Sequence, residues 1–307
     1  MIRVKVPATT ANIGPGFDSL GIALQLYNII EVEEINFGLE INIPVEDQAY
    51  IETNEHNLVY QAMKRLFDAV NIHPKGLRIN LINNIPIARG LGSSAACIVG
   101  GLVVANELLN NPLKKEEIIY LAATMDGHTD NILPAFVGGL TVGSLLENEV
   151  KYVKMDLPTQ LKLLAIIPDF HFSTKKARSL LPKNVPIEDA VFNISRVGLL
   201  VASLVTSHFE NLSEATKDKI HQPYRKDFIP YWEEITSKLM KIGTKGYFLS
   251  GSGPTIMGIL DGDYKNIEDE MVSFLSHFDQ GYKVTVLDVC HNGLEVINDE
   301  GSNGCYR

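Results

Sequence analysis

With 307 residues, 45% of them hydrophobic and 21% charged, the chain can bury a substantial core and is too apolar to be disordered. A formal net charge of −10, from 27 basic against 37 acidic side chains without a long Lys/Arg run, gives no electrostatic support to a nucleic-acid or anionic-membrane partner. The three cysteines, Cys97, Cys290 and Cys305, share no metal-like spacing, and their odd number argues against a disulfide framework, as in a reducing cytosol.

In chain order, the alternation of Ile2, Val4 and Val6 predicts a strand rather than a signal peptide. No stretch approaches the roughly 20 uninterrupted apolar residues of a membrane helix, so the expectation is a cytoplasmic protein without a membrane. Residues 7–19 read as an ordered loop leading to a second strand over 21–35. Apolar residues at 58, 59, 62, 63, 66, 67 and 70 recur at helical spacing, and "LRINLIN" from Leu77 reads as a strand. A glycine-rich turn, a helix to about 109, a helix over 115–125, the connection "DGHTDNILPAFVGG" and short strands follow. Beyond Pro168 come helical patterns over 187–208 and 230–241, the strand-turn-strand "GYFLSGSGPTIMGIL", a helix near 264–278 and the strand "YKVTVLDV". Trp232, on one stripe with Ile229, Ile235 and Leu239, reads as core or interface. This change of texture predicts two closely packed α+β units with a ligand cleft between them.

The stretch "PIARGLGSSAACIVGGLVVANEL", residues 86–108, sets small residues in front of an apolar helix. A helix N-terminus carries unpaired N–H groups and about half a positive charge, so an anion docks there if side chains permit close approach. Gly90, Gly92, Ala95 and Ala96 remove bulk, and Ser93 and Ser94 can cap the helix, donate to phosphate or ligate Mg²⁺. No lysine follows Gly92 as in the common P-loop, and a small-residue turn for tight packing is the competing reading.

Two further segments, "PATTANIGPGFDSLG" (Pro7 to Gly21) and "LSGSGPTIMGIL" (Leu249 to Leu260), flank this loop in order. Together the three resemble the signature segments of the GHMP kinase superfamily across nearly the whole chain. Within it, "DGHTDNILPAFVGGL", "STKKARSLLP" and "HQPYRKDFIP" are similar to segments of the homoserine kinase family. Asp126 stands where that family has Glu, and Thr129 where it has Pro. The resemblance implies an α+β, two-domain GHMP kinase fold. Residues 1–160 would form the nucleotide-binding domain, like the second domain of ribosomal protein S5, and 161–307 a ferredoxin-like C-terminal domain.

It also implies roles. Pro86, Ile87, Ala88, Arg89, Gly90, Leu91, Gly92, Ser93, Ser94, Ala95 and Ala96 would hold the phosphates of ATP, with Asn57 at the base and Mg²⁺ on Ser94 and Asp126. Asn12, Asp18, His128, Asn131, Thr174, Arg178 and Arg225 would bind L-homoserine, the two arginines taking its carboxylate and Asp18 its ammonium. Asn131 occupies the place of the presumed base in mevalonate kinase-like members and cannot take a proton at neutral pH, which implies catalysis by positioning and charge stabilisation. Asp130 is the alternative base. Ser250 to Thr255 would bring N–H groups near the transferring phosphate. A homodimer is the family expectation. The competing functions are phosphorylation of another small alcohol, such as mevalonate or a sugar, and a nucleotide-binding sensor without catalysis.

Overall fold

The computed structural model describes residues 1–262, 266–297 and, for the backbone, 303–305. The start of the helix expected near 264, the end of the second domain expected at 307 and the Cys305 side chain lie outside the described residues. The strands are β1 (Ile2–Ala11), β2 (Leu20–Glu34), β3 (Gly38–Asn42), β4 (Gly76–Ile82), β5 (Leu140–Leu145), β6 (Val150–Met155), β7 (Leu161–Pro168), β8 (Gly246–Leu249), β9 (Ile256–Asp261), β10 (Tyr282–Asp288), β11 (Glu295–Ile297) and β12 (Asn303–Cys305). The helices are α1 (Leu58–Val70), α2 (Ser93–Leu108), α3 (Lys115–Asp126), α4 (Ile132–Val137), α5 (Thr174–Ser179), α6 (Ile187–Thr206), α7 (Leu212–Ala215), α8 (Gln222–Arg225), α9 (Trp232–Lys241) and α10 (Ile267–Leu275).

The first sheet runs β12-β11-β1-β2-β4-β3, with β5 joining β2 further along and β6 pairing β5. Val4, Val6 and Ala8 alternate into the core. Contrary to the loop expected from residue 7, β1 continues to Ala11 because Ala8 to Ala11 find partners in Leu24 to Gly21. Pro7, which has no N–H to give the ladder, sits where the register shifts in a bulge. The loop narrows to residues 12–19, where Asn12, Ile13 and Asp18 take positive φ of 69°, 49° and 58°. Helix α2 is apolar on every side and buried, which fixes its N-terminus relative to β1.

The second sheet runs β10-β7-β9-β8, antiparallel throughout. Its βαββαβ connectivity in that order is the ferredoxin-like arrangement. Strand alternation divides its faces. Leu163, Ala165 and Ile167 join the main core with Leu200 and Leu204 of α6, while Leu164 and Ile166 pack with Trp232 and Leu239 of α9 and Met271 of α10. Trp232 is buried and meets Tyr247 edge-on at 6.2 Å. β11 and β12 return to the first sheet beside β1, so neither strand belongs to the second sheet. Helix α6 is long and apolar enough to cross a membrane by length and composition. Glu188, Asp189, Asn193 and Arg196 interrupt it, however, and Asn193, Leu200 and Leu204 are buried within the protein.

Candidate active site

The glycine loop lies between β1 and the β8–β9 turn. Gly92 has φ +71°, and a Cβ there would fall 1.9 Å from Thr9 Oγ1; one on Gly90 would fall 2.3 Å from the Ser250 carbonyl oxygen. The packing is closed by hydrogen bonds, Thr9 N–H donating to Leu91 O at 3.1 Å and Ser250 Oγ donating to Gly90 O at 2.5 Å. Among the described residues, α2 has no side-chain cap at Gly92, and Ala96 is the first residue of the helix whose N–H returns to it, bonding Gly92 O. The N–H groups of Ser93, Ser94 and Ala95 therefore stand at the positive end of a 16-residue helix, aimed at the cleft. Arg89 turns back, donating to Pro168 O at 2.8 Å and Ile87 O at 3.2 Å, and so anchors the loop to β7.

Across the cleft, Asn12 Nδ2 donates to Gly251 O at 2.9 Å while its Oδ1 accepts the Asp18 N–H at 2.9 Å, holding Asp18 in its left-handed conformation. Arg178, on α5, forms a bidentate pair with Asp18 at 2.8 and 3.1 Å. His128 Nε2 lies 3.6 Å from the same carboxylate. Arg225 is 2% exposed yet reaches the cleft, its Nη1 donating to Gly251 O at 3.1 Å. Burial, and then Arg178, draw Arg225 down to about 10, which leaves it charged at neutral pH. Thr174 Oγ1 meets Ser252 Oγ at 3.3 Å.

Three carboxylates, Asp18, Asp126 and Asp130, face the same space. Asp130 is pushed up from 3.8 to about 8 by burial and then by its two acidic neighbours. Burial also holds Asp126 above the usual carboxylate range, with His128 opposing and Asp18 adding to it. Among the described residues no group of three or more His, Cys, Asp or Glu could hold a metal by itself. The oxygen donors Ser94 and Asp126 line one cleft and fit an ion that takes most of its ligands from phosphate oxygens, as Mg²⁺ does.

Most residues expected at the site converge here. Asn12, Asp18, Ala88 to Ala95, Asp126, His128, Asp130, Asn131, Thr174, Arg178 and Arg225 all line the cleft, whereas Pro86, Ile87 and Ala96 lie off its wall. Asn57, expected at the base, is not on the cleft wall. Its Oδ1 accepts from Val59 and Tyr60 N–H, and its Nδ2 donates to Glu52 O at 2.8 Å, so the side chain caps α1 and is buried. Asn57→Ala is accordingly expected to cost about 1 kcal/mol of stability in denaturant melts and leave the KM for ATP within about 2-fold. Phe17, Phe172, Gly251 and Ser252 also line the cleft, and only Gly251 and Ser252 fell in a segment the sequence singled out for phosphate. Phe17 lies 5.4 Å from the guanidinium carbons of both Arg178 and Arg225, a ring contact that no spacing rule reveals.

A model of the GHMP kinases N terminal domain matches residues 57–139, and one of the GHMP kinases C terminal matches residues 200–277. The chain is 99% identical to a homoserine kinase of Petrotoga mobilis, over 100% of both chains. It is 48% identical, again over 100% of both, to a homoserine kinase of Caldicellulosiruptor saccharolyticus. The crystal structure of homoserine kinase from Cytophaga hutchinsonii matches with a TM-score of 0.86 at 29% identity, covering 96% of this chain and 97% of that one. An open helix end facing an Arg–Asp pair across one cleft is thus set in a fold and a sequence with full-length counterparts, and the chain belongs to the GHMP kinases, within the homoserine kinase family.

Proposed function

We propose that the chain transfers the γ-phosphoryl group of ATP to the side-chain hydroxyl of L-homoserine, giving O-phospho-L-homoserine and ADP, a step of threonine biosynthesis in the cytoplasm. The observation that carries this reading is the Asp18–Arg178 pair with Arg225 beside it, opposite the N-terminus of α2. An amino acid brings one ammonium for Asp18 and one carboxylate for the two arginines, whereas mevalonate has no ammonium and a sugar has neither group. ADP release measured in parallel with L-homoserine, mevalonate, galactose and no alcohol tests it. Turnover with homoserine alone is expected; turnover with another alcohol would overturn the substrate, and none with any would favour the nucleotide sensor.

In this reading the α2 N–H groups and the glycine loop hold the phosphates, and the substrate hydroxyl oxygen attacks the γ-phosphorus as the bond to the bridging oxygen of ADP breaks. Ser94 and Asp126 would hold Mg²⁺, which when bound would neutralise phosphate charge. Thr9 Oγ1 donates to Asn131 Oδ1 at 2.7 Å, which leaves the Asn131 amide nitrogen as the donor, 3.4 Å from Asp130 Oδ1 at the cleft wall. Asn131 therefore orients and stabilises oxygen atoms without accepting a proton, and the hydroxyl proton leaves to phosphate or solvent.

In the ligand-free protein Asp130, raised to about 8, is mostly protonated at neutral pH, so most molecules lack a free carboxylate there to accept the hydroxyl proton. Asp130→Asn is expected to keep kcat within about 5-fold, whereas a loss of at least roughly 100-fold would make Asp130 the base. The same variant has a stability signature. The folded chain holds a proton that the unfolded chain releases near 3.8, so wild-type stability falls as pH rises from there to about 8. Asp130→Asn should remove that slope and melt higher than wild type at pH 8 in the absence of ligands.

The dimer expected from the family is proposed here through α6, against a second copy of the chain. Ile187 and Ile194 are 71% and 72% exposed and share a face with Val191, Gly198 and Val205. The one basic residue along this stretch, Arg196, is turned to Glu214, and a Cβ on Gly198 would meet nothing, which leaves room for a two-fold-related helix to cross at mid-length. Ile194→Glu is expected to halve the mass measured by light scattering.

A further inference from the structure

Behind the cleft, and outside its lining, His221 is fully buried. Its Nδ1 lies 3.1 Å from Arg225 Nη1, and its Nε2 lies 2.7 Å from the carbonyl oxygen of Gly14. A guanidinium only donates and a carbonyl only accepts, so the contacts leave one tautomer: Nδ1 bare and accepting, Nε2 protonated and donating. The ring also stacks on Phe17 with centroids 5.2 Å apart and 25° between planes, and Phe17 in turn touches Arg178 and Arg225. Asp218 fixes the backbone beneath, accepting the N–H groups of Ile220, His221 and Gln222 and the amide of Asn193.

Resting on the homoserine reading above, we infer that His221 is a positioning residue that, as a neutral imidazole, aims Arg225 at the substrate carboxylate and ties it to the loop carrying Asn12 and Asp18. Arg225 Nη1 is shared between His221 and Gly251 O, and Nε reaches Ala177 O at 3.4 Å. Nη2 has no hydrogen-bond partner among the described residues and is the nitrogen left for the carboxylate. One imidazole thus joins the Gly14 loop, α5 and the β8–β9 turn through a single guanidinium. Burial, with Arg225 adding to it and Asp218 opposing, holds the ring below the ordinary histidine range, in keeping with the neutral form.

Two isosteres separate positioning from plain packing. Asparagine can place its oxygen where Nδ1 accepts from Arg225, and glutamine can place its nitrogen where Nε2 donates to Gly14. His221→Gln is expected to raise the KM for homoserine by about 30-fold while the KM for ATP and kcat stay within about 3-fold, and His221→Asn to recover most of that loss. Equal damage from both variants, or a KM for ATP that moves as far as that for homoserine, would overturn the inference. Should the variants not fold, ¹⁵N-histidine spectra of the unaltered full chain at pH 7 test it directly. The neutral Nε2–H tautomer at His221 supports it; an imidazolium or the Nδ1–H tautomer overturns it. A chain that fails to phosphorylate homoserine would overturn the functional reading, on which the nitrogen spectrum does not depend.

Discussion

Gly92→Ala is expected to lower kcat/KM by roughly 100- to 1000-fold, with most of the loss in kcat. A left-handed backbone alone costs alanine about 1 kcal/mol. The larger effect comes from contact, because the new Cβ would stand 1.9 Å from Thr9 Oγ1 and 3.2 Å from Asn131 Oδ1. Either β1 gives way, breaking the bond that holds the Asn131 amide, or the first turn of α2 moves and takes its N–H groups off the proposed phosphate site. Both displace groups meant to meet charge developing in the transition state, where an error of about 1 Å costs on the order of 100-fold. Gly38→Ala separates strain from contact, since Gly38 also has positive φ, at +90°, but a Cβ there meets nothing within 4 Å. Steady-state rates should fall for Gly92→Ala alone; a Gly92→Ala enzyme of near-normal rate would remove the loop from the account.

Asp18→Asn is expected to reduce kcat/KM for homoserine by about 100-fold, since the substrate ammonium loses its charged acceptor and Arg178 its partly exposed partner. Without a ligand, Asp18 and Arg178 satisfy each other, and a zwitterion separates them by giving each a new partner. Asparagine keeps the shape and the Asn12 contact to the backbone of residue 18 but leaves Arg178 without its bidentate carboxylate and Arg225 with one acidic neighbour fewer. Arg178 loses both of its hydrogen bonds to the carboxylate, and Arg225, already drawn down by burial and by Arg178, loses a stabilising charge nearby. The loss should shrink for a substrate analogue that lacks the ammonium, because the two changes remove the same interaction. Equal losses for homoserine and that analogue would show that Asp18 does not meet the ammonium.

The elements with strong periodicity were legible in the sequence: α1, α2, α3, α6, α9 and the β8–β9 hairpin fall where apolar spacing puts them. Helix α4 was not, because Pro134 reads as punctuation, yet it occupies the first turn of that helix, where a missing N–H breaks no bond. The short strands β11 and β12 gave no local signal for returning to β1 across almost the whole chain. At the site, residues whose chemistry is carried by the side chain itself were legible from the family segments, among them Asp18, His128, Arg178 and Arg225. Roles created by packing were not. The capping of α1 by Asn57 went unread, although an asparagine directly before an apolar helix is an ordinary N-cap. Thr9 and His221 line up behind the cleft only through their contacts with Asn131 and Arg225, which stand 122 and 4 residues away in sequence.

In the proposed function the cleft recognises both charges of an amino acid while its hydroxyl is phosphorylated. This is tested most directly by kcat/KM with Mg-ATP for L-homoserine, 4-hydroxybutyrate, which lacks the ammonium, and 3-aminopropan-1-ol, which lacks the carboxylate. Each analogue is expected to be at least about 100-fold poorer than homoserine, since each leaves one side of the Asp18–Arg178 pair without its substrate partner. An analogue turned over as well as homoserine would contradict the account.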